Sequence, residues 1–235
     1  MSHDKLKSAL SAVDWNANVS EFLKEKAICD TMEKCNLRLA VWAKQFENAD
    51  KGNPALSFIR EMQVAGHLVA ALTSLALYKP AAAAMRTMME TALCYTYFRT
   101  HPSELATLAR NSKFVIYKEN LLDYHNIHTP SFPKLQEQFG LVSKCKEWYR
   151  MISSIVHGQL PGKWVKHKSL ADTKHVKNIL LIVLKSFNEG EEIVHHFFLC
   201  TAGRELWEDF STDAKRKLLA GVHGKIKAVL GLDAA

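Results

Sequence analysis

At 235 residues, with 48% hydrophobic and 23% charged residues, the chain has the composition of a folded protein with a substantial core, which excludes disorder. Ten Gly and six Pro supply too few turns for a many-stranded β fold. The formal net charge is +7, and six of those seven charges fall in one window.

Apolar residues recur at helical spacing almost throughout. A short helix is expected from about Asp4 to Val13, and a long one after Asn18-Val19-Ser20, capped by Ser20 and running to about Phe46. The stretch Asn48 to Pro54 stops it, and the next helix runs from about Ala55 to Tyr78. Pro80 sits in the first turn of another, Ala81 to about Phe98. The small residues Ala65, Gly66, Ala70 and Ala71 on one side and Ala81 to Ala84 on the other predict a closely packed antiparallel hairpin. Ser103 is expected to cap a helix over Glu104 to Asn126. A short helix ends near Gly140, and another spans Val142 to Val156. An irregular segment from Gln159 to Leu170 precedes helices over Thr173 to Leu206 and Thr212 to Leu230. The reading is a single all-α domain over residues 1–235, a bundle of seven to nine helices.

The five cysteines, Cys29, Cys35, Cys94, Cys145 and Cys200, are odd in number and form no CxxC. Buried free thiols and a reducing cytoplasm are therefore expected, rather than a disulfide framework or a zinc site. No apolar run follows Met1-Ser2-His3-Asp4-Lys5, so no signal peptide is expected. The most apolar stretch, Val64 to Tyr78, contains His67 and falls short of the ~20 residues that cross a bilayer. No membrane partner is expected.

Between Lys144 and Lys177 there are eight Lys and Arg against two acids, Glu147 and Asp172. Within that window Lys163, Lys166, His167 and Lys168 surround Trp164. Cations beside an aromatic ring suit a phosphate backbone and its unstacked bases, and the alternative is a solvated basic loop with Trp164 in the core.

Arg150 and His157 lie seven positions apart on one expected helix. Seven steps of ~100° bring them within ~20° of the same face, with a rise of ~10.5 Å. A fixed cation and an imidazole so placed can hold and act on a phosphate. Arg86 and Glu90, at i and i+4 in very apolar surroundings, read as a pair that either fixes helix register or orients His157 or Arg150. Glu192-x-x-His195 matches half of a di-iron bundle signature, without a second such motif. Asp123, Tyr124, His125 and His128 precede a loop and are expected to face solvent.

The run from His67 through Lys79-Pro80 to Arg86-Thr87-Met88-Met89-Glu90, with the later Ser153-Ser154-Ile155-Val156-His157-Gly158, resembles the paired helices of bacterial HEPN-like proteins. The resemblance covers about residues 55–160, as a core with the N-terminal helices and two C-terminal helices packed on it. It implies an RNA-binding protein, with Arg150 and His157 as the residues of a metal-independent ribonuclease in a bacterial toxin or phage-defence role. It implies a homodimer with no cofactor and no metal, and a protein partner or antitoxin. Met151, next to Arg150, departs from the polar residue usual there. The alternative is a non-catalytic dimeric scaffold in which Arg86, Glu90 and His157 form a structural polar network.

Overall fold

The computed structural model describes residues 3–165 and 168–232, which contain helix and no strand. Thirteen α-helices follow one another among these residues: α1 (His3–Ser11), α2 (Trp15–Lys24), α3 (Lys26–Ala49), α4 (Leu56–Ser74), α5 (Tyr78–Phe98), α6 (Pro102–Arg110), α7 (Lys118–His128), α8 (Phe132–Phe139), α9 (Leu141–Val156), α10 (Lys177–Cys200), α11 (Ala202–Glu205), α12 (Thr212–Leu219) and α13 (Gly224–Leu230). No helix among the described residues is long and apolar enough to cross a membrane.

The excess over seven to nine helices comes from breaks inside expected elements. Asp14, not Ser20, caps the second helix, its Oδ1 accepting from Ala17 N at 2.8 Å. A kink at Glu25 separates α2 from α3, so Phe22 stacks on His175 while Ile28 enters the core. The helix expected over Glu104 to Asn126 is interrupted after Arg110. Asn111 turns extended there and its side chain accepts from Lys113 N at 3.0 Å, the competition an Asx turn offers to helix. The last helix is split at Gly221, whose φ of +81° suits a residue without Cβ. Ser211 rather than Thr212 caps α12, and α10 begins at Lys177 because Thr173 to Val176 is drawn into contacts with α2, α4 and α5.

The expected hairpin is α4 against α5, the most extensive helix pairing among the described residues. Around it stand α3, α9 and α10. α10 packs on α3, α5 and α9 at once. The core is one continuous cluster from Phe22 to Leu232, with Trp42, Phe46, Tyr95 and Phe198 in stacked, tilted and edge-on contact with one another.

α3 and α10 share a polar seam. The Cys35 thiol donates to Asn188 Oδ1 at 3.6 Å, Arg38 Nε to Glu191 Oε1 at 2.7 Å, and Trp42 Nε1 to His195 Nδ1 at 3.1 Å. All three pairs are separated by 153 residues, so the two helices run parallel and in register. Glu191 is wholly buried and Arg38 is mostly so. Replacing Arg38 with Ala strands that carboxylate, and a loss of about 3 kcal/mol in chemical denaturation is expected.

Gly190 lets α9 approach α10: a Cβ there would lie 2.7 Å from Trp148 Cε2, whose indole N–H donates to Ser186 O at 2.7 Å. Gly190→Ala overpacks this contact and should cost about 1–3 kcal/mol in the same measurement.

His125 is buried, contrary to the expectation that it faces solvent. It lies between two hydroxyls, Thr96 Oγ1 at 2.9 Å and Thr129 Oγ1 at 2.7 Å. Thr96 gives its own proton to Leu93 O, so His125 Nε2 donates to it and Nδ1 accepts from Thr129. Burial, with a smaller effect of His101, lowers the His125 pKa to about 3. Burial likewise lowers His196, stacked on Phe139, to about 4. Both rings bind fewer protons folded than unfolded between those values and 6.5, so stability must fall as pH drops through that window. Melting temperature measured from pH 7 to pH 4 should decrease, by the equivalent of about 1.4 kcal/mol per pH unit per histidine at the steepest. The decrease should be shallower in His196→Gln.

Candidate functional site

The side chains that converge at the surface come from α5, α9 and the residue ending α9. Arg86 and Glu90 lie one turn apart on α5, with Arg86 Nε donating to Glu90 Oε1 at 2.9 Å. Tyr149, on α9, donates its hydroxyl to the same Glu90 oxygen. His157 is the C-cap of α9 and is exposed. Its Nε2 lies 2.7 Å from Arg86 Nη1. A guanidinium has no acceptor, so Nε2 accepts and the ring proton resides on Nδ1. The α5 pair, read from the sequence as fixing helix register or orienting His157 or Arg150, thus touches His157 through Arg86.

Tyr149 is the hub. The Arg86 guanidinium lies 5.1 Å from its ring centroid and Lys118 Nζ lies 4.3 Å from it, distances at which a cation is attracted to the π face. Burial, then the hydrogen bond to Glu90, pushes the Tyr149 pKa up to about 12. For Arg86, burial opposes the charge but pairing with Glu90 outweighs it and raises its pKa. Lys79 Nζ reaches to 3.6 Å from the position a Cβ would take on Gly158, beside His157. Arg86 thus meets both the imidazole and the phenol, Lys118 the phenol and Lys79 the turn after His157, against Glu90 and Glu119, the latter paired to Lys118 at 2.8 Å. Tyr149, Ser153 and His157 follow one another at four-residue intervals, and the Ser153 hydroxyl is buried with no hydrogen-bond partner among the described residues.

Arg150 is exposed and makes no hydrogen bond or ion pair among the described residues. The cation bonded to His157 is Arg86, because two helical turns of rise separate Arg150 from the helix end. In the basic window, Lys163 and Lys168 are exposed, whereas Trp164 is 2% exposed and cannot serve as a surface platform for bases. Lys166 and His167 lie outside the described residues. Sequence reasoning singled out Arg86, Glu90 and His157 but missed the roles of Tyr149 and Lys118. The four-residue rhythm of Tyr149, Ser153 and His157 was the available signal for Tyr149. Nothing local marked Lys118.

The Glu192–His195 pair does not form a chelate. His195 is buried with Nδ1 engaged by Trp42, while Glu192 is exposed and accepts from Asn188 at 3.2 Å. Among the described residues no group of three or more His, Cys, Asp or Glu is placed to hold a metal ion.

No protein-family model, curated protein or solved structure matches the chain.

Proposed function

We propose that the protein binds RNA and cleaves it without metal at the site formed by Arg86, Tyr149 and His157, acting as a homodimer in the toxin or defence setting that its HEPN-like resemblance implies. The observation that carries this reading is the 2.7 Å contact between a fixed guanidinium and an exposed imidazole, in a setting rich in cations. Arg offers bidentate contacts to phosphate oxygens, and His is the side chain suited to proton transfer near neutrality.

A phosphodiester entering against Arg86 draws the guanidinium to its oxygens and releases Nε2. His157 then takes the proton of the 2′-hydroxyl, and the 2′-oxygen bonds to phosphorus. The bond from phosphorus to the 5′-oxygen breaks, and that oxygen takes a proton from water. The resulting hydroxide removes the proton from His157. Arg86 stabilises the charge that builds on the phosphate oxygens. The exposed Lys163 and Lys168 hold the strand beyond the site.

The continuous hydrogen-bond chain from Tyr149 through Glu90 and Arg86 to His157 favours a second reading, a scaffold in which the network is structural. One pair of measurements separates the two. In the nuclease reading the wild type cleaves RNA in EDTA and leaves 2′,3′-cyclic phosphate ends. His157→Ala abolishes cleavage with the melting curve unchanged, and Arg86→Ala slows it by about 10²-fold. Affinity for RNA also falls steeply as salt rises, and Lys163→Glu with Lys168→Glu weakens it. Absence of cleavage of any RNA by the wild type, with lowered thermal stability of His157→Ala, overturns the nuclease in favour of the scaffold.

A further inference from the structure

Trp164 is set in the irregular segment between α9 and α10, yet its indole is 2% exposed. The indole N–H finds no acceptor among the described residues. Indole nitrogen is a donor only, and a buried donor without a partner is rare enough to ask what it is for. The ring stands between two cavities. The larger, about 330 Å³, is walled by Trp164, Tyr78, Ala76, Val176 and Ile179, with Lys168 and Lys174 at its mouth. The smaller, about 70 Å³, is bounded by Trp164, Lys79 and Gly158. Asp172, also at the larger mouth, is engaged by Ser169 at 2.8 Å.

The far wall is fixed by hydrogen bonds. His175 Nε2 donates toward Asn18 O at 2.9 Å and Ser74 O at 3.2 Å, so its Nδ1 accepts from the Tyr78 hydroxyl at 2.8 Å. That hydroxyl also accepts from Val176 N at 3.3 Å. The wall is thus tied to α2, α4 and α5 before anything binds. The larger cavity has the size of a small-molecule site, roughly 300–1,000 Å³, and the same mixture of apolar wall and few polar groups.

We propose that this cavity binds a small organic oxyanion, a phosphate or carboxylate on an apolar or ring-shaped body. One oxygen of the anion takes the Trp164 N–H, Lys168 and Lys174 balance its charge, and the body lies against Tyr78, Val176 and Ile179. The site is separate from the Arg86–His157 pair and stands whether or not RNA is cleaved.

Isothermal titration of the full chain tests it, with uridine 5′-monophosphate, adenosine 5′-monophosphate and octanoate as probes, and uridine as the uncharged control. Saturable binding of at least one anion, with none of uridine, is expected. The nucleotide and octanoate arms tell whether the anion is phosphate or carboxylate. Trp164→Phe keeps the ring and removes the N–H, and should weaken binding at least threefold with an unchanged melting curve. Lys168→Ala with Lys174→Ala, two exposed residues that leave the wall intact, should weaken it at least fivefold. His157→Ala should bind as the wild type does, which separates this site from the nuclease reading. Failure of every anion to bind, or binding that survives both the indole and the lysine substitutions, overturns the proposal.

Discussion

The parallel pairing of α3 with α10 is the constraint on which the rest of the molecule depends. An apolar seam alone leaves helix register loosely specified, because neighbouring hydrophobic side chains substitute for one another. Here Cys35, Arg38 and Trp42 meet Asn188, Glu191 and His195, and a slip of one turn would leave a buried carboxylate and a buried indole N–H without partners. With α10 fixed on α3, Gly190 and Ser186 receive Trp148 of α9. That contact sets where α9 lies against α5, and the end of α9 delivers His157 to Arg86. The surface cluster is therefore positioned by a chain of contacts that begins in the core.

The cluster shows how exposure divides labour among charges of the same type. Arg38 and Arg86 each hold a carboxylate, but Arg38 is locked to a Glu with no solvent exposure, whereas Arg86 keeps a second edge for a ring nitrogen. A guanidinium with five donors can serve both an internal carboxylate and an outside acceptor, which a lysine cannot do with the same geometry. Tyr149 supplies a π face to two cations and a hydroxyl to Glu90, so one side chain engages both the acid and the bases of the cluster.

The α-helical class and the α4–α5 hairpin were legible because helical periodicity and small residues at facing positions are local signals. The pairing of Arg86 with Glu90 was legible for the same reason, being one turn long. The contact from Arg86 to His157 was open among several readings, and the seven-residue spacing favoured Arg150 instead. Spacing along one helix describes which residues share a face, but the partner of a helix-end residue comes from the neighbouring helix. The α3–α10 seam was not legible, since no local pattern announces a match across 153 residues. Extra breaks at Glu25 and Asn111 escaped notice because neither carries Pro or Gly, and in both cases backbone or side-chain bonding redirects the chain. The depth of His125 was missed because a polar triplet before a loop gives no sign of two hydroxyls waiting on either side of it.

The seam also fixes the order in which the protein can be completed during synthesis. Helix α3 leaves the ribosome long before α10 exists, so the Trp42 and Phe46 face has no α10 to cover it until Phe198 has emerged. The α4–α5 hairpin can form early from neighbouring segments, but the central aromatic stack closes only on the arrival of a helix from the far end of the chain. Long sequence separation slows that closure, and in the interval the open face of α3 is the surface that a chaperone would have to shield.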